Sequence, residues 1–293
     1  MKIAKSGEEL LEICKEENIS LSEYAIRKEV ETTEVSRAEV IERMRKTLSI
    51  MRESATRGRM EKVYSLSGLI GGDAYKVEKY KESNKSLMGN GIVTAMAMAL
   101  SCAEVNGSMG QIVACPTAGS CGILPASILT AGELLNKNDD ELIDALFAAS
   151  AIGMIIGMNA TFAGAEGGCQ AECGSASAMA SGAVVYMMGG TPEMSLNAAA
   201  IIFKNILGLV CDPVAGLVEI PCAKRNVSGT INALSIADLV MAGVTSKIPF
   251  DDTVAAMYKV GINLPEELRE TARGGIAATP TGIKLKEKVF KKS

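Results

Sequence analysis

Along residues 1–60 the hydrophobic positions recur at helical intervals between charged ones. After Ser36, the residues Val40, Ile41, Met44, Leu48 and Met51 share one helix face, with Arg, Lys and Glu filling the others. Three serines each stand three positions before a glutamate: Ser6 and Glu9, Ser20 and Glu23, Ser36 and Glu39. That is the spacing of a capping box, in which the serine and the glutamate satisfy each other's free backbone N–H, and it predicts a helix start at each site. Residues 1–60 therefore read as peripheral amphipathic helices.

From about residue 91 the charges thin out and Ala, Gly, Ser and Met dominate. Ala145 to Ala165 runs 21 residues without a charge and contains Gly153 and Gly157 at the spacing of a close helix contact, so a membrane span has to be weighed. Its Ala and Gly are only weakly hydrophobic and Ser, Asn and Thr interrupt them. No Trp or Tyr belt flanks it, and the acids Asp144 and Glu166 bound it. A helix buried inside a soluble domain fits better, with small side chains letting its neighbours approach. Further helices are predicted from the Thr191–Pro192 start to Gly208, from Thr230 to Gly243, from Asp252 to Gly261 and from Pro265 to Gly274. Sustained alternation of the β type is absent. The expected fold is all-α, with outer charged amphipathic helices around a small-residue buried helical core, in a single domain spanning residues 1–293.

Composition narrows the function. At 293 residues and 48% hydrophobic content the chain can bury a large core, and a net charge of −4 lacks the basic excess that nucleic acid or an anionic membrane attracts. Charges run through Met1 to Glu17, where a secretory signal needs an apolar centre, so a cytoplasmic location is expected. There a set of eight cysteines points to metal, catalysis or burial instead of disulfides. The chain has no histidine, which removes the commonest metal ligand and the commonest general base near neutral pH. Any metal must use thiolate and oxygen ligands, and any imidazole chemistry must borrow from another chain.

Three segments carry candidate chemistry. In EGGCQAECG, Cys169 and Cys173 are four apart and share a face if helical, a spacing that is weak as a metal signal. In CDPVAGLVEIPC, two prolines and a glycine disfavour a regular helix and put Cys211 and Cys222 at the rim of a loop. Joined by Cys169 they make three thiolates and no evident fourth ligand, incomplete for structural zinc but leaving one iron of an iron–sulfur cluster open. In ACPTAGSCGILPA, residues 116–122 form a turn that opens a helix with Pro125 in its first turn. Such a start offers N–H groups to a carboxylate or phosphate.

Taken together, GSMGQIVACPTAGSCGILPA (107–126), GGCQAECGSASAMA (167–180), GLVCDPVAGLVEIPCAKRN (208–226) and LPEELRETARGGIAATPTG (264–282) resemble the α chain of the iron–sulfur-dependent L-serine dehydratases. The likeness extends in order over about residues 65–285. It implies that Cys169, Cys211 and Cys222 hold a [4Fe–4S] cluster with one open iron site, that no pyridoxal phosphate is used, and that L-serine is converted to pyruvate and ammonia. Cys173 falls where many relatives carry an apolar residue and reads as packing; Cys14, Cys102, Cys115 and Cys121 have no ligand role by the same comparison. Thr117, Gly119 and Ser120 are the expected binders of the substrate carboxylate or amino group, Asp212 and Asn226 hydrogen-bond partners of the cysteines, and Glu166 and Glu172 candidate acid/base groups. The family also occurs as two chains, the β chain bringing a Ser-Ser-His segment that these residues lack, so a β subunit is the expected partner. The alternatives are a related lyase acting on threonine or cysteine, and a non-enzymatic helical or membrane scaffold.

Overall fold

The computed structural model describes residues 2–83 and 85–291. The α-helices among them are α1 (Gly7–Glu16), α2 (Leu21–Thr33), α3 (Arg37–Met60), α4 (Asp73–Lys81), α5 (Gly89–Gly107), α6 (Ile123–Leu135), α7 (Asp139–Asn159), α8 (Gly164–Gly167), α9 (Ser175–Met187), α10 (Pro192–Ile206), α11 (Cys222–Met241), α12 (Phe250–Ile262) and α13 (Pro280–Phe290). No strand occurs among the described residues, where only two isolated bridges are found, Tyr64 with Gly71 and Cys211 with Arg269. The fold is all-α, as the hydrophobic periodicity implied.

The three serines cap α1, α2 and α3, their hydroxyls accepting from the N–H groups of Glu9, Glu23 and Glu39 at 3.1, 3.1 and 3.2 Å. The glutamates do not complete the boxes. Glu9 accepts from the Lys5 N–H, Glu23 is held by Arg27 and Arg37, and Glu39 by Arg43. A complete box occurs instead at Asn138 and Glu141, opening α7.

Helix α9 is the centre. Its residues are buried apart from a partly covered Tyr186, and α6, α7, α10 and α11 pack around it. Small residues make this possible. A Cβ on Gly182 would stand 2.2 Å from Ile152 Cδ1, and one on Gly153 would stand 2.9 Å from Met179 Cε. Two stretches, Ala118–Leu135 and Asp139–Asn159, are long and apolar enough to cross a membrane, and 78% and 67% of their windows are buried inside the protein. The outer helices lean on this core, α2 against α7 and α3 against α5.

Three expectations need correction. The uncharged run leaves the helix at Ala160, where the backbone turns extended, so residues 160–163 lie outside α7. The helix expected from Thr230 begins two turns earlier, at Cys222, which therefore opens α11 instead of ending a loop. Pro265–Gly274 forms only a 3-10 turn, Glu266–Leu268. Beyond it the Leu268 carbonyl accepts from Cys211 N–H at 2.8 Å and Glu270 N–H donates to the Cys211 carbonyl at 2.7 Å, so the groups a helix would need are taken by a distant strand of chain.

Candidate active site

Cys169, Cys211 and Cys222 arrive on three elements. Cys169 precedes a π-helical turn, Gln170–Gly174, that runs into α9. Its place is set by the neighbouring Gln170, fully buried, whose side chain donates to Met257 O at 2.9 Å and accepts from Gly208 N–H at 2.8 Å, while its own N–H donates to Leu209 O at 3.0 Å. Cys211 is strapped to residues 268–270 as described, and Cys222 starts α11. Between them the loop turns through Ala215 and Gly216 at φ of 59° and 72°, and Val214 N–H closes it on Ile220 O at 2.8 Å.

Arg225 and Asp212 brace this loop from inside. The Arg225 guanidinium donates to Val210 O and to Asp212 Oδ1, both at 2.8 Å, and Asp212 Oδ2 accepts from Ile276 N–H at 2.7 Å. A Cβ on Gly275, whose φ is +57°, would lie 2.3 Å from that oxygen, so only glycine fits. Glu219, also buried, accepts from the hydroxyls of Ser65 and Ser67 at 2.6 and 2.7 Å, tying the loop to the segment before α4.

The turn of residues 117–120 closes the other side. Asn226 accepts from Gly122 N–H at 2.8 Å and donates to Gly119 O at 2.8 Å and Cys222 O at 2.9 Å, so one buried amide joins the turn to a cysteine-bearing helix. Thr117 and Ser120 hydroxyls lie 3.1 Å apart and cap the turn, which leaves Ser120 turned inward and fully buried. Glu172 faces this turn: a Cβ on Gly119 would stand 3.3 Å from Glu172 Oε1, and the Cys211 thiol donates to Glu172 Oε2 at 3.8 Å. Glu166 sits exposed on α8.

Electrostatics follow from burial. The Glu172 carboxyl is pushed up to about 7 by desolvation, with Thr117 hydrogen bonding in opposition and Glu270 adding repulsion. Cys222 is raised to about 12 by burial and then by Cys169 and Glu172. Cys211 is raised too, first by burial and then by the charges of Glu172, Cys169, Glu270 and Cys222. Cys169 alone lies below its ordinary value, because the Cys173 thiol hydrogen-bonds to it and outweighs burial, with Arg225 assisting. Cys102, raised to about 12 by burial, contacts Ser54; Cys115 and Cys121 lie buried behind the turn; and Cys14 packs in the core under α1.

Among the described residues no three of Cys, Asp and Glu converge on a point that a single metal ion fills. Cys169, Cys211 and Cys222 are soft thiolate donors of the kind that would hold an iron–sulfur centre. Gly164 packs directly against the site: a Cβ there would come within 3.0 Å of Cys211 Sγ and 2.8 Å of Glu172 Oε2. Sequence reasoning passed over Gln170, Glu219, Arg225 and Gly164. Gln170 and Arg225 carried a usable signal, a polar residue next to or near a candidate cysteine in a stretch otherwise bound for the core.

A family model described as serine dehydratase alpha chain matches residues 16–277. The chain is 50% identical over 286 residues to the probable L-serine dehydratase, alpha chain, of Bacillus subtilis (strain 168), covering 98% of this chain and 95% of that one. It is 45% identical over 286 residues to the L-serine dehydratase, alpha chain, of Peptoniphilus asaccharolyticus, covering 98% of both. Against a protein named L-serine dehydratase from Streptomyces coelicolor (strain ATCC BAA-471 / A3(2) / M145) the identity is 35% over 281 residues, covering 93% of this chain and 60% of the other.

Proposed function

The chain belongs to the serine dehydratase alpha chain family, and on that footing we propose that it is the α subunit of a two-chain enzyme that converts L-serine to pyruvate and ammonia. The observation that carries the reading is the meeting of the 117–120 turn, Glu172 and the thiol of Cys211 in one half-buried place. Removing water from serine needs three things at once: a grip on the carboxylate and amino group, a base for a weakly acidic Cα proton, and help for a poor leaving group.

Thr117 and the backbone around Gly119 and Ser120 supply the grip. Because the Ser120 hydroxyl and N–H are both spent on Thr117, its contribution is the shape of the turn. Glu172 is the carboxylate that faces this turn, and it is the group positioned to take the proton from Cα. Cys169, Cys211 and Cys222 would hold a [4Fe–4S] cluster, which when bound supplies a Lewis acid for the serine hydroxyl. Arg225 and Asp212 keep the cysteine loop in register, and the aminoacrylate released from the site hydrolyses in water without further help from the protein.

The β subunit is part of the reading because the chain has no imidazole of its own. The Streptomyces coelicolor protein also extends well beyond the 60% that this chain covers. In this reading residues 65–285 carry the catalysis and residues 1–60 support them, in the cytosol, where eight unpaired cysteines are at home.

The test is anaerobic co-expression with a β chain, followed by iron and sulfide analysis and product assays on serine, threonine and cysteine. Iron is expected in the wild type, lost on Cys169→Ala, Cys211→Ala or Cys222→Ala and kept on Cys14→Ala, with pyruvate formed fastest from serine. Iron-free protein of full activity would overturn the cluster, and sulfide from cysteine outpacing pyruvate from serine would overturn the substrate.

A further inference from the structure

Cys173 has a partner that packing does not require. Its sulfur lies 3.3 Å from Cys169 Sγ, and both side chains are within 2% of complete burial. The two are joined across the π-helical turn Gln170–Gly174, which is locked on both sides. The Cys173 carbonyl accepts from Ser177 Oγ at 2.7 Å, and Gly174 leaves no room for a side chain, since a Cβ there would stand 2.9 Å from Ile206 Cγ2.

We propose that Cys173 donates an S–H hydrogen bond to the sulfur of Cys169 and thereby makes a cluster bound there harder to oxidise. This rests on the cluster reading above. A ligating thiolate pushes electron density onto iron, and a hydrogen bond to its sulfur draws some of that density back, which favours the reduced state. In the cluster-free chain Cys169 is the donor of this 3.3 Å contact; ligation would take that proton, which leaves Cys173 as the sulfur of the pair with a hydrogen to give. Arg225 acts on Cys169 in the same sense, but its guanidinium is committed to Asp212 and Val210, which leaves the thiol as the less occupied donor. Cys173 is on this account a positioning and tuning residue, not a ligand.

The test compares wild type, Cys173→Ala and Cys173→Ser as anaerobic complexes with the β chain. Iron and sulfide content, the cluster's midpoint potential and its rate of bleaching in air are read for each. All three are expected to hold equal iron. The alanine variant should show a lower potential and bleach roughly fivefold faster, the factor corresponding to one net hydrogen bond of about 1 kcal/mol. Serine, which keeps a donor, should restore both. An alanine variant with wild-type potential and bleaching rate would overturn the inference. So would an alanine variant that loses its iron as Cys169→Ala does, because Cys173 would then be a ligand. Wild type without iron would sink the cluster reading itself and this inference with it, an outcome the iron analysis separates from the other two.

Discussion

Replacing Asn226 by alanine removes one side chain that serves three partners. Gly122 N–H, Gly119 O and Cys222 O all lose it, and all three bonds are buried at 2.8 to 2.9 Å. A net backbone-to-side-chain hydrogen bond is worth about 1 kcal/mol, and a buried donor left unpaired costs about 1–3 kcal/mol. The Gly122 N–H is the group that would bear that penalty, because Asn226 Oδ1 is its buried acceptor. The expected loss is about 3 kcal/mol, read as a drop in the urea midpoint at unchanged slope in the cluster-free chain. The turn also loses its link to α11, so the complex should show a raised KM for serine with its iron retained. An Asn226→Ala chain within about 0.5 kcal/mol of wild type, on the scale of an ordinary surface change, would refute the claim that this amide holds turn and helix together.

Glu104 is almost fully buried, caps α4 through Asp73 and Ala74 N–H, and leaves Oε2 without a partner; burial raises its pKa. Its native state holds the proton more tightly than the unfolded chain, so stability falls as pH rises from the unfolded value of about 4.3 to the raised folded one and is level above that. Glu104→Gln should remove this slope, gaining on wild type as pH rises through the window; parallel pH profiles of the urea midpoint would contradict it. Gly182→Ala places a Cβ 2.2 Å from Ile152 Cδ1 and 2.9 Å from Ser195 O, and overpacking of that kind costs about 1–3 kcal/mol, seen as a lower Tm. An unchanged Tm would mean that α7 and α10 yield around α9 more easily than their packing suggests.

The parts of this fold that were legible depend on neighbours in sequence. Ser6, Ser20 and Ser36 mark helix starts because a hydroxyl meets the N–H three residues on, whatever the rest of the chain does. Glu23 and Glu39 were misread because Arg27, Arg37 and Arg43 compete for their carboxylates with charge that an N–H lacks, and Glu9 because it accepts from the Lys5 N–H instead of the cap's own. The Cys169–Cys173 contact follows from helical spacing, whereas its place beside Cys211 and Cys222 came only from resemblance. Glu166 and Glu172 looked alike in sequence. One lies exposed on α8 and the other, on the next turn of chain, faces residues 117–120, a difference that no composition reveals.

Read alone, the sequence determined the helical class, the small-residue centre, the absence of any imidazole and the cysteines worth watching. These follow from periodicity, side-chain size and residue chemistry, all local properties. The tertiary structure decided which backbone and side-chain groups satisfy one another at long range. Cys211 pairs with residues 268–270 and abolishes a predicted helix, Asn226 joins a turn to α11, and Arg225 and Asp212 brace the loop between two thiols. A buried polar group must find a partner wherever the fold puts one, and that requirement is met across the whole molecule, beyond the range of any sequence window.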